Sequence, residues 1–199
     1  MQETITYFEE PGASNTEATL DAAIDRARAR GIGKIILAST RGDTAKAMAA
    51  KLNGTGITMV VVPHQYGFMA GQRFTREFAA ELEGQGHAVH FGTMLFHTER
   101  FYGSEAPKAL ADMLRTFCQG MKVVVEITLM AGDGGQVEIG EEIVVVAGTG
   151  RGADTAVVAT ASTSTHLRDF HITEIICKPL RTKFLEPPKP GEGPQPPRP

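Results

Sequence analysis

The chain has 199 residues and a net charge of −3, and its charged residues form no basic run. This length is typical of a single domain, and the even spread of charge argues against a nucleic-acid partner. No apolar stretch reaches the ~20 residues of a transmembrane helix and no signal peptide is visible, so we expect a cytoplasmic protein with no membrane partner. Cys118 and Cys177 belong to no C-x-x-C pair, which favours reduced, buried thiols.

The first part of the chain alternates predicted strands and helices. Ile5 to Phe8 is predicted to be a short strand, and Ser14 and Glu17 match the S-x-x-E capping box at the start of a helix over residues 15–30. The next three elements are predicted to be a strand, a helix and a strand, at residues 34–39, 45–52 and 57–62. This alternation indicates a parallel sheet with helices on both faces.

Two more helices and a short strand are predicted in the middle of the chain. A helix over Phe74–Glu83 follows a loop at residues 63–73, and Ala88–Phe91 is a short strand. Ser104 is predicted to cap a further helix that Gly120 ends. The side chains that helical spacing places on its core face are Leu110, Met113, Leu114 and Phe117.

The last third of the chain is rich in β-branched residues and predicts strands at 121–130, 142–147, 156–161 and 171–177. Their connections are too short for crossover helices, so some of these strands must pair antiparallel. The predicted fold class is therefore a three-layer α/β/α domain with a mostly parallel mixed sheet, over residues 1–180. Residues 181–199 are dominated by proline, glycine and charge, which predicts a flexible tail.

The first candidate site, loop 1, joins the strand at 34–39 to the helix at 45–52. Its candidate ligand-binding residues are Ser39, Thr40, Gly42, Asp43 and Thr44, with Arg41 between them. Glycine, hydroxyl groups, an arginine and the free N–H groups of a helix start are typical of an anion site at the carboxyl edge of a sheet. The alternative is an ordinary capped turn in which Asp43 or Thr40 is the N-cap.

Loop 2 spans residues 148–155 and has similar chemistry. Its candidate residues are Gly150, Arg151, Gly152, Asp154 and Thr155. The loop fits the dinucleotide pattern G-x-G-x-x-A, but the segment after it favours a strand over a helix, which argues against a Rossmann unit. A glycine-rich anion nest between two strands fits better, and a mobile surface loop is the alternative. If both loops lie side by side, they predict a site for a small phosphorylated ligand.

Two further segments are expected at the same sheet edge. The N-terminal segment contributes Gly12, Asn15 and Thr16, which are either ligand contacts or only part of a helix start. The segment after the third strand contributes His64, Gly67 and Phe68. The rings of His64 and Phe68 could flank a planar ligand, and the imidazole could move a proton. The alternative is that this segment is a surface loop with one aromatic side chain turned inward.

Other polar residues are left open by the sequence. Glu126 lies in an apolar run, where it either faces a ligand or faces water or a subunit. Asp133 is a further candidate site carboxylate. The six histidines lack metal-ligand spacing, so no metal is expected, and no pattern identifies a nucleophile or other catalytic residue.

With Asn15-Thr16-Glu17, loop 1 and the Gly150-Arg151-Gly152-Ala153-Asp154-Thr155-Ala156 turn in this order, the chain resembles stand-alone proteins built on the pyruvate kinase C-terminal α/β domain. The similarity spans residues 4–180. In regulated pyruvate kinases the two corresponding loops help to hold a phosphorylated sugar. Members of the stand-alone family are associated with FMN, so the resemblance implies a flavin cofactor whose phosphate occupies the loops.

The resemblance implies an FMN-binding flavoprotein, a possible flavin-dependent oxidoreductase whose substrate the sequence does not define. Phosphate would bind at Thr40, Gly42, Thr44 and Thr155, with His64 to Phe68 near the ring. Because no barrel domain is present in the sequence, we expect no pyruvate kinase activity. The alternative is a non-catalytic sensor that binds a sugar phosphate and transmits the binding event through the contacts of a homo-oligomer. A third interpretation is a scaffold whose loops bind nothing.

Overall fold

The computed structural model of the protein describes residues 2–182, so most of the predicted tail lies outside the described residues. The strands are β1 (Thr6–Phe8), β2 (Lys34–Ala38), β3 (Thr58–Val62), β4 (Ala88–Val89), β5 (Glu142–Ala147), β6 (Thr155–Thr160) and β7 (His171–Pro179). The helices are α1 (Thr16–Arg30), α2 (Asp43–Leu52), α3 (Arg76–Gly84), α4 (Glu99–Tyr102), α5 (Ala106–Arg115) and α6 (Gln119–Asp133). Over this part of the chain, no helix is long and apolar enough to cross a bilayer.

The seven strands form one sheet in the order β1-β7-β6-β5-β2-β3-β4. The pairs β1–β7, β2–β3, β2–β5 and β3–β4 are parallel, whereas β6 is antiparallel to both β5 and β7. The predicted mixed, mostly parallel sheet is confirmed. Because β1, β2, β3 and β5 run in one direction, the segments that follow them leave the same edge of the sheet.

Helices cover both faces of the sheet because successive strand residues point to opposite sides. In β2, Ile35 and Leu37 belong to a core cluster with residues of α1 and α2, whereas Ile36 belongs to a second cluster with residues of α6. Burial of each such side chain stabilises the fold by about 1.5–3 kcal/mol. Cys118 and Cys177 are buried free thiols, as predicted.

The strand predicted over Met121–Met130 is wrong, because this segment forms the middle of helix α6. One side of α6 packs on the sheet through residues such as Val124 and Ile127, and its other side packs against Phe96. A helix buried on most sides has no polar stripe, so its helical period is hidden. The β-branched composition that favoured a strand is overridden by this packing.

The predicted core face of the helix before α6 is also corrected. Leu110, Met113 and Phe117 are 44%, 60% and 55% exposed, and α5 instead buries Ala111 in a cluster with α6. The helix ends at Arg115 rather than near Gly120, because the chain turns at residues 116–118 to begin α6. The predicted helix therefore contains a helix end, a turn and the start of the next helix.

The start of α1 differs from the predicted capping box. Its N-cap is Asn15, whose side chain makes no capping hydrogen bond. A short 3-10 turn over Ala13–Asn15 precedes the helix, and the Thr16 hydroxyl donates to the Ala13 carbonyl at 2.7 Å. Ser14 is therefore not the cap, and the chain enters α1 through a tight turn.

Candidate functional site

A cavity of about 710 Å³ opens at the sheet edge where β2, β3 and β5 end. Cavities that hold small molecules typically measure about 300–1,000 Å³. Loop 1, loop 2 and the start of α1 line one part of the cavity, and the segment after β3 and one face of α6 line the other. The fold therefore brings all four sequence-predicted segments to one edge of the sheet.

Loops 1 and 2 lie side by side because β2 and β5 are neighbouring parallel strands. The Arg151 guanidinium of loop 2 lies 3.9 Å from the Asp43 carboxylate of loop 1. Both side chains are exposed, so this ion pair contributes little stability. It does show that the two loops are within side-chain reach of each other across the cavity.

Loop 1 presents the start of helix α2 to the cavity. Gly42 has a φ of 97°, and a Cβ there would lie 2.7 Å from the Phe78 ring, so no other residue fits this bend without displacing Phe78. The Ser39 hydroxyl accepts a hydrogen bond from the Ala45 N–H at 3.3 Å. The earlier N–H groups of the helix, those of Asp43 and Thr44, have no acceptor within the helix and are suited to bind an anion.

Loop 2 is held in place by the buried carboxylate of Asp154. This carboxylate accepts hydrogen bonds from the N–H of Gly12 at 2.9 Å, the N–H of Thr149 at 3.1 Å and the hydroxyl of Thr155 at 2.8 Å. A Cβ on Gly120 would lie 2.0 Å from the Thr155 hydroxyl oxygen. The Thr155 side chain therefore packs against the start of α6 and lies outside the cavity lining.

Loop 2 also contacts the start of helix α1. The Thr16 hydroxyl accepts a hydrogen bond from the Ala153 N–H at 3.1 Å. A Cβ on Gly152 would lie 2.2 Å from the Thr16 hydroxyl oxygen and 2.7 Å from the Ala13 Cα. Only glycine permits this approach, and Gly152 has the positive φ, 71°, that glycine adopts most readily.

Most of the sequence-predicted site residues line the cavity. These are Thr16, Ser39, Thr40, Asp43, Thr44, His64, Phe68, Gly150, Arg151 and Gly152. The remaining candidates, which lie outside the lining, are Gly12, Asn15, Gly42, Gly67, Asp154 and Thr155. Among these, Asn15 donates its side-chain N–H to the Glu10 carbonyl at 2.7 Å, so it shapes the loop before α1. The ligand-binding role of all these residues stays a prediction.

Aromatic side chains form the end of the cavity beyond β3. The Phe68 ring lies 5.0 Å from the His64 ring and 4.9 Å from the His97 ring, both edge-on. His64 Nδ1 is buried and has no hydrogen-bond partner within residues 2–182. Met94 and Ile127 add apolar surface to the same end. This end can enclose a planar ring.

The same end holds a buried charge cluster, formed by Lys122, Glu126 and His97. The Lys122 ammonium donates to the Glu126 carboxylate and lies 3.0 Å from His97 Nε2. The other Glu126 oxygen accepts from the Phe96 N–H at 2.9 Å. Lys122 and Glu126 are only 1% and 2% exposed, yet all three residues of the cluster line the cavity. Glu126 thus faces the cavity and its paired lysine, whereas Asp133, at the end of α6, accepts from the Ser164 N–H.

Burial governs the protonation of this cluster. It lowers the pKa of His97, and the nearby Lys122 ammonium lowers that pKa further, against the opposing effect of Glu126. Burial likewise lowers the pKa of His64 and, against the attraction of Glu126, the pKa of Lys122. The neutral imidazole of His97 can therefore accept a hydrogen bond from the Lys122 ammonium at Nε2. In that tautomer the proton of the imidazole ring is on Nδ1.

We expect the free energy of unfolding to fall when the pH is lowered from about 7.5 to about 5.5. Burial lowers the pKa values of His64, His87, His90 and His97 from the ordinary 6.5, so below that pH the unfolded chain binds protons that the folded chain does not. The contribution of these histidines to the free energy of unfolding is fully present above their pKa in the unfolded chain. It is lost as the pH falls below that pKa. Urea unfolding at both pH values measures this change in the free energy of unfolding. The change is expected to be smaller in H97Q than in the wild type. Equal stability at both pH values would contradict this assignment.

The polar groups that sequence reasoning missed lie mainly on and around α6. They are Arg73, His97, Arg115, Gln119 and Lys122, all of which line the cavity. A lysine and a glutamate four residues apart in an apolar run, Lys122 and Glu126, were a usable signal for a helix and for a pair on its surface. Within residues 2–182, no group of three or more His, Cys, Asp or Glu side chains is arranged to hold a metal ion.

Two comparisons with known proteins found a match. The family model described as pyruvate kinase, alpha/beta domain, matches residues 17–159. Among solved structures, Cryptosporidium parvum pyruvate kinase in complex with ADP is similar at 16% sequence identity and a TM-score of 0.40. That match covers 77% of this chain and 24% of the pyruvate kinase chain, so this chain corresponds to about a quarter of that enzyme. The family model matches well over half of the residues of this chain, so the chain belongs to the pyruvate kinase alpha/beta domain family.

Proposed function

We propose that this chain binds FMN, with the phosphate at loops 1 and 2 and the ring at the aromatic end of the cavity. The observation that carries the proposal is the chemistry of a single cavity. One of its ends is a helix start beside arginine side chains, and the other combines aromatic and apolar side chains with the buried charge cluster. A ligand with a phosphate at one end and a planar ring at the other matches both.

The phosphate end is supported by the geometry of loop 1. The first N–H groups of α2 and the helix dipole together stabilise an anion by up to about 2 kcal/mol. Thr44 lines the cavity there, and Arg41 and Arg151 stand at its rim. A phosphate would attract Arg151 more strongly than the exposed Asp43 carboxylate does, because it carries more charge and more acceptor oxygens.

The ring end is supported by side chains that can flank a planar group. Phe68 and Met69 contribute partly exposed apolar surface, and Met94 and Met130 contribute buried surface. These residues would exclude water from one face of a ring, and the charge cluster would meet a polar edge. Enclosure of this kind holds a cofactor's reactive atoms in one position.

A bound FMN would supply electron or hydride transfer at its ring, and on this basis we propose a flavin-dependent oxidoreductase. The residues of the chain would position the ring, exclude water and hold a proton at His97 Nδ1. Loops 1 and 2 would contribute binding energy at a distance from the reacting atoms. The substrate would approach from the open side of the cavity, beside the exposed Phe68 and Met69.

Titration with FMN tests the proposal, by flavin fluorescence and by thermal melting. We expect FMN to raise the melting temperature and to bind more tightly than riboflavin, which lacks the phosphate. T44V removes a hydroxyl at the phosphate end and is expected to weaken FMN binding by roughly 10- to 150-fold, the equivalent of about 1.5–3 kcal/mol for a hydrogen bond to a charged group. Riboflavin binding is expected to change little.

T58V is the matched control, since Thr58 begins β3 at the opposite edge of the sheet from the cavity. FMN affinity is expected to be unchanged in this variant. Stabilisation by a sugar phosphate and not by FMN would instead support a non-catalytic sensor of phosphorylated metabolites. If neither ligand changes the melting temperature, the scaffold reading stands and the proposal is contradicted.

A further inference from the structure

The proposed function does not by itself require that the charge cluster of Lys122, Glu126 and His97 contain a buried ion pair. An ion pair buried this deeply is costly, because the removal of two charges from water offsets most of their attraction. Hydrophobic side chains of similar size would stabilise the same position of α6 as well or better. The cluster also lines the cavity, so its side chains can contact a ligand there.

The hydrogen bonds within the cluster leave one donor for a ligand. Of the three protons on the Lys122 ammonium, one is donated to Glu126 and one is directed at His97 Nε2. The third has no acceptor within residues 2–182, and the Phe96 ring lies 5.5 Å from Nζ. Each Glu126 oxygen already accepts one hydrogen bond, one from Lys122 and the other from the Phe96 N–H. The cluster therefore offers the cavity one N–H donor of the Lys122 ammonium.

We propose that Lys122 donates to the electron-rich edge of the bound ring and makes the site prefer the reduced, anionic form of FMN. This inference rests on the proposed function. Two-electron reduction adds two electrons and one proton to the oxidised ring and leaves it with one extra negative charge. An ammonium group in a water-poor cavity stabilises that charge more than it would in water.

Glu126 and His97 act through Lys122 and are positioning residues. Glu126 holds the ammonium in place and cancels much of its charge, and His97 restricts it from a second side. The other charged or titratable groups that line this end are Arg73, Arg115 and His64. Arg115 donates to Gln119 at 2.8 Å and to Asp112 at 2.7 Å, so part of its charge is neutralised outside the cluster.

Three proteins separate the contributions of the pair: the wild type, E126Q and the double variant K122M/E126Q. E126Q removes the counter-charge and with it the attraction that raises the pKa of Lys122 against burial, whereas the double variant removes both charges and keeps the side-chain lengths. The midpoint potential of bound FMN is measured by anaerobic titration with dithionite, the reductant in this experiment. The affinities for oxidised and reduced FMN are measured in parallel.

At a pH low enough to keep Lys122 protonated, we expect E126Q to prefer reduced FMN about tenfold more than the wild type does, which raises the midpoint potential by about 30 mV for a two-electron couple. The rise is expected to disappear as the pH is increased and the buried Lys122 of this variant loses its proton. The double variant is expected to prefer reduced FMN about tenfold less than the wild type does, which lowers the midpoint potential by about 30 mV. K108M, on the exposed face of α5, is the control and is expected to leave the potential unchanged. Thermal melting establishes which variants are folded. If the double variant is not folded, the comparison of E126Q with the wild type still tests the proposal.

The two proposals fail in different ways. A wild-type protein that binds FMN, with equal potentials in the wild type and its folded variants, would overturn the assignment of Lys122 and leave the proposed function standing. A lower potential in E126Q than in the wild type at every pH would also overturn it, because the sign would be wrong for a cation beside the ring. A wild-type protein that binds no FMN in either oxidation state would overturn both proposals.

Discussion

Replacement of Glu126 with alanine is expected to destabilise the protein by about 3–5 kcal/mol. The change leaves the Lys122 ammonium buried without its counter-charge and leaves the Phe96 N–H without its acceptor. It also creates a cavity beside α6. Urea unfolding monitored by circular dichroism, compared with the wild type at about pH 7.5, measures the loss.

The size of this effect depends on the uncompensated charge, and two variants test that explanation. E126Q keeps the side-chain volume and one acceptor oxygen, so its loss is expected to be about half that of E126A. K122M/E126Q removes both charges and is expected to lie within about 1.5 kcal/mol of the wild type. A double variant as unstable as E126A would show that cavity formation, and not charge burial, sets the cost.

Replacement of Asp154 with alanine is expected to cost about 3–6 kcal/mol, because three donors lose their buried acceptor at roughly 1–3 kcal/mol each and the site relaxes in part. Those donors belong to Gly12, Thr149 and Thr155, so the change detaches loop 2 from the segment before α1. FMN affinity is expected to fall as well, since loop 2 would no longer be held beside loop 1. Thermal unfolding and FMN titration of the same variant measure both effects.

D43A is the matched control for this change. Asp43 is also an aspartate at the mouth of the cavity, but its side chain is 78% exposed and its ion pair with Arg151 spans 3.9 Å. An exposed pair of this kind contributes little, so the stability of D43A is expected to stay within about 0.5 kcal/mol of the wild type. Equal losses in D154A and D43A would contradict the structural role assigned to Asp154.

The first part of the fold could be predicted because its signals are local. Helices α1 and α2 have one buried face each and strand β2 is a short apolar run buried on both faces. The predicted bounds of these elements differ from the observed ones by only one or two residues. Helix α6 could not be predicted in the same way, because it contacts the sheet on one side and α5 on the other. Such a helix is apolar on most sides, and its composition then resembles that of a strand.

The site shows the same division. The positions of loop 1, loop 2 and the segment after β3 followed from the rule that parallel strands end at one edge of a sheet. The orientation of individual side chains did not follow, since Thr155 and Thr44 are similar in sequence context but only Thr44 lines the cavity. His97 could not be assigned either, because it reaches the cavity from a 3-10 turn, Leu95–His97, that has no clear sequence signal.

The central claim is that loops 1 and 2 hold the phosphate of a ligand whose ring lies against α6. A crystal structure of the protein with FMN tests it most directly. We predict phosphate oxygens within hydrogen-bond distance of the Thr44 N–H and hydroxyl, with the ring between Phe68 and Lys122. A phosphate bound at Arg73 and Arg115 instead, with the ring at loops 1 and 2, would contradict the account.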